Sequence, residues 1–310
     1  MSPGGVKQRI EEVELRGIEG KMAPVLKSFL HQVWDKRNEP DFEIYKIYVG
    51  GRPHAVIEDD TDPWDEPVVQ AFLDQLKLIP TPAPMIQAYG TSLNTIIAHR
   101  EFFDQTGTIS EHPSIAELQK LARITQHTWI IRDLGKSFFH FRTGASPQKR
   151  LYLSVLPNFR GQVMRHIVSH VVNQNADVTN AKVSGPLCKG LDTIVIYARN
   201  DTAIGTALSV LAEYQRGPGR GYFSPQTIQL GRAIKTYADD TLVGVAAADE
   251  PFEHAQQLGM GRRPSFGDFW ETFLQWILEE DPVPATKLAF FKKVWNSMLA
   301  AGLDPLRPEL

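Results

Sequence analysis

The chain has 310 residues, 42% of them hydrophobic and 22% charged, with a formal net charge of −3. That length supplies core for one large or two ordinary domains. The slight acidity excludes a generic polyanion binder, so nucleic acid is not an expected partner and any basic patch must be local. The single cysteine, Cys188, excludes an internal disulfide and a Cys-based zinc cluster, which fits a reducing compartment. No charged-then-apolar leader follows Met1 and no apolar run approaches a bilayer span, so the expectation is a cytoplasmic protein with no membrane partner.

Taken in order, residues 1–8 read as frayed. Met22, Val25, Leu26, Phe29, Leu30, Val33 and Trp34 follow helical spacing and predict a helix to about Asp35. Phe42–Val49 and His54–Glu58 read as a hairpin around Gly50-Gly51-Arg52-Pro53, and the acidic run at 58–62 reads as a solvated turn. Helices are predicted at Val68–Leu78, near Leu93–Phe103 and over Ser114–Ile124, with a strand at His127–Arg132. Residues 224–262 look irregular. The tail carries two helices, marked by Phe269, Phe273, Trp276 and Ile277 and then by Phe290, Phe291, Val294, Trp295 and Met298.

The informative stretch is Lys136–Arg199, which reads as two short hairpins, each followed by a helix. Successive strand side chains point to opposite faces. In Phe138–Arg142, His140 and Arg142 therefore share a face. In Arg150–Val155, Arg150, Tyr152 and Ser154 oppose Leu151, Leu153 and Val155. Lys182 goes with Ser184, and Tyr197 with Arg199 against Ile194 and Ile196. Helices marked by Phe159, Val163, Ile167 and Val171 and by Ile204, Ala207, Leu208 and Leu211 can cover the aliphatic face, the second after an N-cap at Asn200 or Asp201. The other face is left partly open. It fits two readings: the half-solvated outer face of an antiparallel sheet, or an anion site, most naturally for phosphate. The segment Arg216-Gly-Pro-Gly-Arg220-Gly-Tyr222 likewise reads either as a flexible loop or as an anion clamp, with glycines admitting the ligand and arginines holding it.

No Walker loop, dinucleotide glycine motif, kinase catalytic loop or Gly-x-Ser-x-Gly elbow occurs, and Cys188 lacks the setting of a nucleophile. His166 and His170 stand four apart on a predicted helix, but no carboxylate completes a zinc motif. No metal or cofactor is therefore expected. What remains is Lys, His, Tyr and several Arg. Arginines neutralise phosphate, a cation-crowded Lys serves as a base, and His donates a proton to a leaving oxygen. The set suits phosphate elimination from phosphorylated Ser or Thr, and it equally suits a non-catalytic phosphopeptide binder.

The segments Arg150-Leu-Tyr-Leu-Ser-Val155, Val163-Met164-Arg165, Ala181-Lys-Val-Ser-Gly-Pro186 and Asp192-Thr-Ile-Val-Ile-Tyr-Ala198, in that order, resemble the HopA-type family of type III secretion effectors and their relatives. Ser265-Phe266-Gly267 and Ala301-Gly-Leu-Asp-Pro-Leu-Arg-Pro308 resemble that family's C-terminus. The match covers about 127–216 and, more loosely, 262–308. Relatives in thioamitide and class V lanthipeptide biosynthesis act beside a peptide kinase as lyases, giving dehydroalanine or dehydrobutyrine in a precursor peptide. Phosphothreonine lyase effectors use similar chemistry.

The resemblance implies Lys182 as base, by the Ala-Lys-Val-Ser-Gly-Pro motif. His140, which shares the predicted face, is the candidate acid. Tyr152 and Tyr197 would orient or polarise the substrate, and Arg142, Arg150, Arg199 and Arg220 are candidates for the phosphate. The chain departs from the pattern at Phe223-Ser-Pro-Gln-Thr227, where relatives carry an acidic residue and prolines before a Thr. It departs again at Phe138, where phosphothreonine lyases have a Lys.

The expected architecture is α+β: a mostly helical part with a hairpin (1–125), a central mixed sheet covered on one face by helices (126–262) and a helical extension (263–310). The expected partners are a phosphorylated precursor peptide and a peptide kinase. A protein-binding effector module and a phosphopeptide-binding subunit of a kinase complex are the alternatives.

Overall fold

The computed structural model describes residues 3–49, 66–79, 85–87, 114–116, 118, 128–144, 147–228, 230–235, 241–260 and 264–309. The fold is α+β. It divides into two compact units, one formed by 1–51, 229–232 and 248–310, the other by 52–228 and 233–247. The two terminal regions thus belong to one unit, a grouping that boundaries drawn along the sequence do not express.

The first unit is helical, with α1 (Pro3–Glu19), α2 (Pro24–Lys36), α3 (Ile44–Tyr48), α8 (Phe252–Gln257), α9 (Phe266–Glu279) and α10 (Lys287–Ala300). Pro24 starts α2 where a missing N–H costs nothing, and Leu26, Phe29, Leu30, Val33 and Trp34 form its buried stripe. Ser265 and Asp268 close a capping box on α9. Phe269, Trp270 and Phe273 of α9 are buried and in mutual ring contact, as are Phe290 and Phe291 of α10.

Two expectations change here. The segment expected as a strand at Phe42–Val49 holds the helix Ile44–Tyr48 instead, because Ile44, Ile47 and Tyr48 bury at helical spacing. Residues from Pro3 onward lie in α1 rather than being frayed.

The second unit is built on a sheet, described as seven strands: β1 (Met85–Gln87), β2 (Phe138–Thr143), β3 (Lys149–Leu153), β4 (Val178–Ser184), β5 (Ile194–Ala198), β6 (Arg232–Lys235) and β7 (Thr241–Asp249). Their order is β1-β2-β4-β5-β3-β7-β6. The pairs β1–β2, β2–β4, β4–β5 and β3–β5 are antiparallel. β2 and β3 do not form the hairpin expected of them; the β4–β5 hairpin inserts between them.

The aliphatic face holds Phe139, Phe141, Leu151, Leu153, Ala181, Val183, Ile194 and Ile196, all fully buried. It shares one core with Val163 and Ile167 of α6 (Arg160–Ile167), Val171 of the π-helical turn Val168–Val172, and Ala203, Ala207 and Leu211 of α7 (Asp201–Arg216). Asn200 caps α7 by accepting from the Ala203 N–H at 2.9 Å. Leu73 and Leu76 of α4 (Glu66–Lys77) and Leu134 of α5 (Thr128–Gly135) join the same core.

Residues 128–135 are a helix, not the expected strand. Residues 232–235, 241–249 and 252–257 are regular, not irregular. β7 hides from a pattern search because Val245, Ala246, Ala247 and Ala248 are all buried, so its two faces do not alternate. The expected strand at His54–Glu58, the acidic turn at 58–62, the helix at Leu93–Phe103 and most of Ser114–Ile124 lie outside the described residues. Among those described, no helix is long and apolar enough to cross a membrane.

Candidate active site

Register assembles the polar face of the sheet. His140 lies directly opposite Lys182, Lys182 opposite Val195, and Val195 opposite Tyr152. Directly opposed residues share a face, with Cβ atoms roughly 4.5–5.5 Å apart. One row therefore carries His140, Lys182 and Tyr152 across four strands. The next row pairs Asn180 with Tyr197 and Tyr197 with Arg150. On the other side of the first row, Phe138 opposes Ser184.

Side-chain contacts then fix these groups. The Lys182 ammonium stands over the Phe138 ring, 4.4 Å from its centroid, and the Arg150 guanidinium over the Tyr197 ring at 4.7 Å. Both are within cation–π range. The Asn180 amide nitrogen approaches His140 Nδ1 at 3.4 Å. The tautomer of His140 and the orientation of the Asn180 amide, whose Oδ1 is buried without a hydrogen-bond partner among the described residues, decide which of the two donates. The face is more enclosed than the sequence suggests: Phe138 is 1% exposed, Tyr152 4% and Tyr197 8%.

Three of the expected phosphate ligands stand elsewhere. At Arg142 a register shift between Phe141 and Thr143 breaks the alternation, and the residue has φ 58°. Its Nη1 donates to the carbonyls of Val172, Asn175 and Val178 at 2.8, 2.9 and 3.0 Å. The guanidinium thus closes the end of the π-helical turn instead of joining Lys182, which corrects the face assigned to it. Arg199 lies just past β5, exposed, 3.9 Å from Asp177 Oδ1. Arg220 is exposed in the turn after α7, and the buried stripe of α7 packs on the aliphatic side of the sheet. Arg150 is the arginine of the four that shares the face with Lys182.

Sequence reasoning passed over Arg160 and Asn180. Arg160, 3% exposed at the start of α6, donates from Nε to Val155 O (3.2 Å), from Nη1 to Ser184 Oγ (3.2 Å) and Gly185 O, and from Nη2 to Cys188 O (2.9 Å). It pins the turn leaving β4, the strand that presents Lys182. Burial pulls its pKa down to about 10, against the opposing influence of Cys188 and Asp192. The readable signal was a cation in a first helical turn, where the helix dipole disfavours it. Burial pushes the Cys188 thiol up to about 12, with Arg160 and Lys182 pulling down and Asp192 adding to the rise. A thiol so held is not a nucleophile.

Gly185 shows why the turn reads Ser-Gly-Pro. A Cβ there would lie within 2.3 Å of the Gly135 carbonyl oxygen, so no larger residue fits between β4 and the end of α5. Among the described residues, no group of three or more His, Cys, Asp or Glu could hold a metal ion.

Two solved structures share this architecture along nearly all of the chain. The effector protein from Pseudomonas syringae pv. tomato strain DC3000 aligns with TM-score 0.57 and 19% identity over 92% of this chain and 95% of its own. The effector protein from Pseudomonas syringae pv. syringae strain 61 gives TM-score 0.59 and 17% identity over 92% and 96%. The chain has the fold of these effectors. A phosphothreonine lyase aligns over 76% of this chain at TM-score 0.28 and 11% identity, too low to bear on fold or chemistry. No family model and no curated protein sequence matches.

Proposed function

We propose that the protein is a lyase that eliminates phosphate from phosphorylated Ser or Thr in a ribosomally made precursor peptide, working beside a separate kinase and without a metal. The observation that carries this reading is the cross-strand pairing of His140 with Lys182, with Tyr152 in the same row and Arg150 in the next. A base and an acid on directly opposed positions can flank one Cα–Cβ–O unit. The Lys182 amine takes the Cα proton, and that bond's electrons form the Cα=Cβ double bond. The Cβ–O bond breaks, and the departing phosphate takes a proton from the His140 imidazolium, which is left as a neutral imidazole. Arg150 neutralises the phosphate, and Tyr152 and Tyr197 orient the substrate. Arg199, at the end of β5, would meet the peptide beyond the phosphate.

Mass spectrometry of a phosphoserine or phosphothreonine peptide incubated with the protein tests the reading. Loss of the elements of phosphoric acid, abolished in Lys182→Ala while peptide binding persists, is the expected result. Loss of the phosphoryl group alone would mean hydrolysis and would refute elimination. A second reading, a protein-binding module of effector type, draws on the fold shared with the two Pseudomonas effectors. Absence of any mass change with a kinase present would favour it, or the phosphopeptide-binding subunit.

A further inference from the structure

The outer side of α6 carries a second polar site that the lyase reading does not use. Gln162, Arg165, His166, Ser169 and His170 fall on one stripe of the helical turns. With Tyr214 of α7, Leu78 and Pro218, they line an open cavity of about 440 Å³. That volume lies in the range of small-molecule sites. Val163 and Ile167, on the inner side of the same helix, are fully buried in the sheet core. The cavity therefore opens away from the face that carries Lys182.

We propose that this cavity binds a phosphate or phosphomonoester group. Its lining converges donors: a guanidinium, two imidazoles, an amide and hydroxyls, with no carboxylate among them. Arg165 has no ion pair or hydrogen bond among the described residues. The Tyr214 hydroxyl is buried and also lacks a hydrogen-bond partner there, in a residue only 4% exposed. A half-buried guanidinium without a hydrogen-bond or ion-pair partner among the described residues, beside an unused hydroxyl, suits an acceptor with several oxygens.

The imidazoles add to the case. His166 stacks on the Tyr214 ring at 4.0 Å, and its centroid is 4.4 Å from that of His170. Burial, then the neighbouring His170, hold His166 down to about 4, against an upward pull from Glu213 of α7. An anion reverses that balance and charges the ring. A metal is the rival occupant of an i, i+4 histidine pair, but Arg165 in the lining would repel a cation and, among the described residues, no third protein ligand joins the pair.

The test is titration of the full chain, its histidine rings labelled, with inorganic phosphate at constant ionic strength, following the His166 and His170 ring protons by NMR. His166→Gln and His170→Gln assign the signals. Both rings should move together and saturably, with the His166 titration midpoint rising. Arg165→Gln should weaken the effect about tenfold or more, and Gln162→Ala should weaken it less. If a phosphoserine peptide acts at lower concentration than inorganic phosphate, the phosphate is carried on a larger molecule; if inorganic phosphate acts equally well, the free ion is the ligand. Rings that stay still, that move equally with sodium chloride, or that respond to zinc chloride instead would overturn the proposal. The elimination assay reads the other face of the sheet, so a failure there leaves this result standing.

Discussion

Replacing Arg142 with glutamine separates a structural role from a phosphate-binding one. Nη1 of Arg142 supplies three carbonyls, those of Val172, Asn175 and Val178. The first lies at the end of the π-helical turn, the second in the connection that follows it and the third at the start of β4. A hydrogen bond from a charged donor contributes about 1.5–3 kcal/mol, and three acceptors sharing one nitrogen do not add fully. The loss should therefore come to about 2–4 kcal/mol. Arg142→Gly makes the same loss but relieves the positive φ, recovering about 1 kcal/mol. Urea denaturation followed by circular dichroism should thus rank wild type above Arg142→Gly, and Arg142→Gly above Arg142→Gln. Under conditions where all three remain folded, elimination from a phosphopeptide should persist. An Arg142→Gln protein with undiminished stability and no elimination would refute the argument and return the guanidinium to the phosphate.

Three further perturbations follow from buried groups. Burial raises the Asp133 carboxyl to about 6, against the pull of Lys136, and its Oδ2 has no hydrogen-bond partner among the described residues. The folded value exceeds the unfolded one, so the cost of the charge is present above pH 6 and gone below about 4. Asp133→Asn should therefore stabilise by about 1–2 kcal/mol at pH 7.5 and have little effect at pH 4; equal urea midpoint shifts at both would contradict this. In Gly219→Ala the new Cβ would meet the Tyr214 ring at 2.3 Å, so the ring must leave its stack on His166. A loss of about 1–3 kcal/mol, read as a lower Tm together with a shifted His166 ring signal, is expected. Arg160→Lys keeps the charge but cannot reach all of the acceptors that the guanidinium holds in four directions. It should cost about 2 kcal/mol or more and increase hydrogen exchange at Gly185 and Leu187, whose amides donate to Ser137 O, between α5 and β2, and to Gly135 O, at the end of α5. Unchanged exchange there would mean that the turn is held by other contacts.

What the sequence makes legible follows from where alternation survives. β3, β4 and β5 lie between an aliphatic face and a polar one, so Leu151, Val183 and Ile196 could be told from Arg150, Lys182 and Tyr197 by parity alone. Strand order was beyond reach. Sequence proximity suggested a β2–β3 hairpin, but inserting β4 and β5 between them is what brings His140 opposite Lys182. Parity also fails inside β2, because one shifted residue after Phe141 reverses the side to which the next points. Nothing in Phe-Arg-Thr announces that shift; it is set by carbonyls 30 to 36 residues away.

The residues that were missed share a cause. Arg160 and Asn180 act on other residues rather than on a substrate: one holds the turn after Lys182, the other the ring of His140. Local pattern ranks side chains by what they are, whereas such roles depend on what lies opposite. The paired row explains why that matters for chemistry. A lysine and a histidine on neighbouring strands are unremarkable in a sequence, yet they stand directly opposed across β2 and β4, and under the proposed lyase reading that spacing, held by the strands themselves, would let them flank the same two carbons of a bound residue. If that spacing is what the fold provides, moving His140 to the adjacent strand position, as in a His140→Phe, Phe138→His double variant, should abolish elimination although the same side chains remain on the same face. Retained activity would show that the register of the pair is not what matters.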